Sequence, residues 1–279
     1  IALVKWPWAT FAIFLVNAGV YGVQAARGDK GEGWVMEHLA QDRMAVWEGQ
    51  YWRLITAVIA HTIFLHYAMN MAGHVLQGRV MERILGSWSF LCLYLISGLA
   101  GSLFLQMVSD AGVGVGASGA VYGVAGALLL VAHGRTPRGD LFPGRKFLWV
   151  TFTIVAMDQV FAYAWEKANP SMRIANSAHL GGLLCGAVLG YVLTPRPPAV
   201  RMRILRRRAI AAGGLAAGIV IAGIYGCFFT VHDKAWGRAA NLRAFKLRMN
   251  ENRFEAAVEA WRGLELEDEK QKREIGYGL

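Results

Sequence analysis

Ser118 ends the glycine-rich run DAGVGVGAS and opens an apolar stretch, and His179, in AHLGG, opens another. A serine hydroxyl becomes a nucleophile when a histidine can take its proton. The oxyanion that forms on attack then needs hydrogen-bond donors. Ser118 begins a helix, so its own N–H has no intrahelical acceptor and the positive end of the helix dipole points at the site. In HTIFLHYAMNMAGH, His66 and Asn70 are four apart and share a helical face. His61 lies further out, and His74 is expected one turn deeper on the same side. Together these residues could carry out acyl transfer.

The elements that must hold them are membrane helices. The chain has 279 residues, 55% hydrophobic and 17% charged, against about 25% charged in soluble domains. Apolar segments at about 6–26, 55–78, 88–108, 117–133, 147–165, 178–194 and 209–230 predict seven spans. The net charge of +10 does not indicate a nucleic-acid partner, because the basic residues sit in short loops between spans. Lys5, Arg79, Arg83, Arg135, Arg138, Arg145, Lys146 and the cluster from Arg196 to Arg208 fall on one side, outnumbering the other side about two to one. The N-terminus is therefore expected inside, and Ser118 and His179 at the outer ends of two helices that run the same way. No cleavable leader is expected, since Trp6 to Ala26 reads as a span.

The fourth span, 117–133, is about 25 Å long at 1.5 Å per residue, short of the ~30 Å hydrocarbon core. Ser118 should then lie below the outer boundary, in backbone that only protein or water could cover. Gly119 and Gly123 on this span, and Gly182, Gly186 and Gly190 on the sixth, recur every four residues and would let the two helices approach closely. The long stretch 27–54 carries Trp34, Trp47, Tyr51 and Trp52, which suit a membrane interface. Asp158, midway along the fifth span, reads as an interhelical hydrogen-bonding group well below the serine and histidine. Cys92, Cys185 and Cys227 read as buried small hydrophobes.

These residues resemble the rhomboid family of intramembrane serine proteases over roughly residues 50–194. GASG with Ser118, preceded by Gly116 and followed by Gly119 and Tyr122, resembles the nucleophile motif. AHLGGLLCG resembles the AHxxGxxxG motif of the last core helix, and HTIFLHYAMN the HxxxxHxxxN motif of the second. YWRL, with Trp52 and Arg53, is similar to the WR motif of the long first loop, and GRVMERILG, with Glu82, to an acidic turn after the second helix. Gln50 departs from members that carry Glu before the WR pair, the fifth loop at 166–177 is long, and the seventh span and tail belong to a subset of architectures.

The resemblance implies an all-α polytopic membrane bundle with a six-helix core, here over 1–194, to which the apolar runs and composition add a basic linker and seventh span over 195–230 and an extramembrane helical tail over 231–279. It implies Ser118 as nucleophile and His179 as base, with no third carboxylate. His66, Asn70 and the Ser118 N–H would take the oxyanion, Tyr122 would stack on the imidazole, and His61 would be structural. Substrates would be transmembrane proteins met in the bilayer, with no cofactor and no metal. The expected setting is a bacterial inner membrane, with the N-terminus cytoplasmic and the site near the outer face. The tail, in RFEAAVEAWRGLEL, reads as an amphipathic helical pair that could dock a protein partner. An inactive binder of transmembrane segments is the alternative. A metalloprotease fits less well, because no HExxH occurs and His61 and His66, five apart, would diverge on a helix.

Overall fold

The computed structural model describes residues 6–47, 49–108, 113–133, 144–168, 175–194, 249 and 255. The chain divides into two units, Ile1–Ile224 and Tyr225–Leu279. The expected seventh span at 209–230, the linker before it and the tail lie outside the described residues, apart from Met249 and Glu255, which are helical.

In the first unit the helices are α1 (Trp8–Ala26), α2 (Gly31–His38), α3 (Arg43–Trp47), α4 (Arg53–Thr56), α5 (Phe64–Leu85), α6 (Ser87–Val108), α7 (Ser118–His133), α8 (Arg145–Ala168) and α9 (Asn176–Leu193). A two-residue antiparallel ladder, β1 (Gln41–Asp42) with β2 (Val113–Gly114), is a small addition to the all-helical expectation. It ties the loop before α3 to the loop that leads into Ser118.

Among the described residues, α1, α6, α8 and α9 are long and apolar enough to cross a membrane. The α4–α5 region counts as a fifth span if its bent pair is taken together, and α7 is a shorter apolar helix. Large side chains such as Leu15 on α1, Leu95 on α6 and Trp149, Phe152 and Val160 on α8 point outward, as lipid contact allows. Cys185 is buried as expected, but Cys92 is exposed: it occupies the outward face of α6, where a small apolar thiol is as welcome as in a core.

The second span departs from expectation. It is not one helix over 55–78, because Arg53–Ile59 and Phe64–Leu85 meet at an 89° bend. Ala60 is extended, at φ −103° and ψ 144°, so the chain breaks there and His61 precedes the long helix. The helix also continues seven residues deeper, so Glu82 lies within α5 and not in a turn after it.

Glu82 is fully buried and does the work of a cap. Pro7 precedes α1 and offers no side-chain acceptor to its first turn. The Glu82 carboxylate supplies one from α5, taking hydrogen bonds from Ala9 N (3.0 Å), Thr10 N (2.8 Å), Thr10 Oγ1 (2.7 Å) and Ser87 Oγ (2.5 Å). Its charge also opposes the positive end of the α1 dipole. Glu82→Ala strands those donors, so we expect a loss of about 3–5 kcal/mol. Thermal unfolding of the purified protein in detergent measures it, and Glu82→Gln should lose less because one acceptor oxygen remains.

The buried apolar core is built from α1, α5, α6 and α7, with Cys185 and Leu189 of α9, and among the described helices α7 packs on α9 more extensively than any other pair. The glycine spacing explains why. A Cβ added at Gly182 would collide with the Gly119 carbonyl, and one at Gly186 with the Gly123 carbonyl. At Gly190 it would meet Ala127 Cα and Cβ, both at 2.5 Å. The two backbones therefore touch over three successive turns, as the four-residue repeats predict.

Candidate active site

The α7–α9 contact fixes the ends of both helices, and Ser118 is the first residue of α7 while His179 lies in the first turn of α9. His179 Nε2 is 2.8 Å from Ser118 Oγ. One turn along α7, the Tyr122 ring lies parallel to the imidazole, with centroids 4.2 Å apart and planes 10° apart. His179 is buried. A hydroxyl, an imidazole in hydrogen-bonding contact with it and an aromatic plane that limits the imidazole's rotation are thus assembled by two helices alone.

The break before α5 brings the next group in. Gly116 has φ +124°, in the region that favours glycine, and its N–H bonds the Ala57 carbonyl at 2.9 Å. A Cβ at Gly116 would sit 2.7 Å from His66 Cε1 and 2.8 Å from His66 Nε2, with Asn70 Nδ2 at 3.9 Å. Any side chain at position 116 would therefore occupy the space in front of both groups. Asn70 gives one amide hydrogen to its own helix at His66 O (3.0 Å), which steadies the amide. His61 Nε2 accepts from Ala117 N at 3.4 Å, bracing the turn just before the serine.

His61 and His66 do not diverge as a continuous helix would require. The chain is extended at Ala60 and α5 begins only at Phe64, so the two imidazoles meet edge to face with centroids 5.2 Å apart. His74 also differs from expectation. It turns toward α1 and α6, with Nε2 2.9 Å from Thr10 O and its ring edge-on to Tyr94, so it joins the α1–α5–α6 contact and not the Ser118 group.

Trp52 is largely exposed, and Arg53 turns inward. The guanidinium donates to Ala40 O (2.7 Å), Met36 O (3.3 Å) and Glu37 O, and its Nε donates to Gln50 Oε1 (2.6 Å). Gln50 thus still offers an acceptor to Arg53 in place of Glu. Arg53 pins the long first loop: its hydrogen bonds go to that loop and to Gln50, and none of these reaches the serine or the histidine. Gly119 lets the α7 backbone run beside Ala178 O and Gly101 Cα, so its part is packing.

The expectation for Asp158 needs correction. It does not lie well below the pair: its Oδ2 is 4.0 Å from His179 Nδ1 and accepts a hydrogen bond from Tyr122 OH at 2.9 Å. Gln159, which no motif in the sequence marks, donates to Tyr122 OH at 2.6 Å and sits 3.2 Å from His179 Nδ1. The reason is length. α8 has 24 residues, about 36 Å, and exceeds the ~30 Å core, so depth counted from its outer end overstates how far down Asp158 lies. The signal available in the sequence was that Asp158 is a lone acid within a span.

A rhomboid domain matches residues 48–196, from the loop before α4 to just past α9. The chain belongs to the rhomboid family. It is 35% identical over 162 residues to RHOMBOID-like protein 5 of Arabidopsis thaliana, covering 57% of this chain and 49% of that protein. To Rhomboid protease GluP of Bacillus subtilis it is 29% identical over 229 residues, 80% of this chain and 40% of the relative. To Rhomboid protein 1, mitochondrial, of Saccharomyces cerevisiae it is 30% identical over 165 residues, 55% and 45%. The chain thus spans about half or less of the length of these relatives. This rhomboid is a multi-pass integral membrane protein, and its site residues all fall within the matched region.

Proposed function

We propose that this rhomboid is an intramembrane serine endopeptidase that cleaves peptide bonds within or next to transmembrane segments of other proteins. One observation carries the reading: the 2.8 Å contact between His179 Nε2 and Ser118 Oγ. The name of the Bacillus relative, a rhomboid protease, supports it.

Ser118 Oγ attacks the scissile carbonyl as His179 Nε2 takes its proton. The carbonyl oxygen becomes an oxyanion held by the Ser118 N–H, His66 and the free amide hydrogen of Asn70. His179 then gives the proton to the leaving amine, and the acyl group stays on Ser118. Water attacks the ester, again losing its proton to His179, and releases the new carboxyl end. Peptide bonds in a spanning helix are shielded by their own hydrogen bonds, so the substrate must unwind locally before attack.

The basic residues of the inner loops support an N-terminus on the inner side and a site near the outer face. Residues 231–279 would dock a protein partner or substrate.

Comparing membrane-protein fragments in cells carrying the wild type or Ser118→Ala tests the reading. Fragments that vanish with the variant are its products, and identical fragment sets would sink the proposal. For the oxyanion group, Asn70→Ala should lower kcat by about 10²-fold, with little change in half-saturation, because the bond is made to the oxyanion and not to the ground-state carbonyl. Turnover of a substrate found by that comparison measures it.

A further inference from the structure

Asp158 and Gln159 form a polar group on α8 that the serine–histidine chemistry above does not use. Gln159 Nε2 donates to Tyr122 OH, and Tyr122 OH donates to Asp158 Oδ2. This chain fixes the tyrosine ring that stacks on His179. The same carboxylate oxygen lies 4.0 Å from His179 Nδ1, on the side of the ring opposite the serine contact. The groups facing the imidazole are Ser118 and Tyr122 from α7, His66 from α5, and Asp158 and Gln159 from α8.

We propose that Asp158 is a positioning residue for His179: its carboxylate holds Tyr122 against the imidazole and faces the imidazolium that forms when Ser118 loses its proton. The inference rests on the serine-protease reading. A positive ring formed where water is scarce gains most from a fixed negative charge nearby, since no solvent has to reorganise. A carboxylate beside the base's second nitrogen serves this purpose in serine hydrolases at large. At 4.0 Å the contact is electrostatic and not a hydrogen bond, so its effect should be smaller than that of a directly bonded acid.

The test uses the full chain in detergent and a fluorophosphonate probe. Ser118 Oγ would form a bond to phosphorus, fluoride would leave and His179 would take the proton, so the rate needs no known substrate. The maximal labelling rate, the half-saturating probe concentration and the melting midpoint are compared for the wild type, Asp158→Asn, Asp158→Glu, Tyr122→Phe and Ser118→Ala. Asp158→Asn keeps an oxygen for the tyrosine hydroxyl but removes the charge. Its maximal rate should fall about 10- to 100-fold, below the ~10⁴ of a directly bonded acid, with half-saturation and melting unchanged. Asp158→Glu should recover part of the rate, and the charge effect should persist in a Tyr122→Phe background. A rate for Asp158→Asn within twofold of wild type overturns the proposal, as does a loss confined to half-saturation or melting. If that happens while Ser118→Ala remains unlabelled, the protease reading stands without Asp158. Equal labelling of Ser118→Ala and wild type would overturn both.

Discussion

Ser118→Ala should abolish turnover, lowering kcat by about 10⁴-fold or more while the protein melts where the wild type does. No other described side chain lies where Ser118 Oγ does, 2.8 Å from His179 Nε2, so nothing can take over the attack. In enzymes whose nucleophile and base act as one unit, removing either costs nearly as much as removing both. His179→Ala should therefore match it, and the double variant should fall little further. The fold has no stake in the hydroxyl, because α7 and α9 are held by backbone contact further along. Turnover and thermal unfolding measured on the same preparations check the separation. Near wild-type turnover by Ser118→Ala would refute the proposed nucleophile.

Gly186→Ala should damage both stability and activity although it lies about two turns along α9 from His179. The added methyl would overlap the Gly123 carbonyl, a backbone atom that cannot rotate away, so α9 must move off α7. Overpacking of this kind costs about 1–3 kcal/mol, and more where backbone resists. A shift of about 1 Å between serine and histidine is enough to lose about 10²-fold in rate. Gly22→Ala on α1 is the control: nothing lies within 4 Å of its added methyl, and alanine is the better helix former. Melting midpoints and probe-labelling rates for the two variants read both effects. Equal behaviour would mean that the α7–α9 contact does not govern the site.

Glu82 shows why some readings of the sequence needed the fold. Its acidic character was plain, but the partners that give it a purpose, Ala9 and Thr10, lie about 70 positions away. Only the packing of α5 on α1 joins them. The bend at Ala60 was hidden for a related reason: residues 55–78 are apolar enough to read as one span, and the break follows from backbone angles that composition does not report. His74 shares a helix with His66 and Asn70, yet which neighbour each side chain meets depends on how α1 and α6 crowd that helix.

What the sequence determined by itself is local and periodic. The length of the apolar runs set α1, α6, α7, α8 and α9, and the four-residue glycine repeats paired α7 with α9, which brings the first turns that carry Ser118 and His179 together. What only tertiary structure decided is the company around that pair. Asp158 and Gln159 reach His179 because α8, at 24 residues longer than the hydrocarbon core is thick, turns one face to α7, and His61 and His66 meet because the chain bends before α5. The physical reason is the same throughout: a spacing along one helix fixes which residues share a face, whereas depth, rotation and bend are set by the neighbours that face packs against.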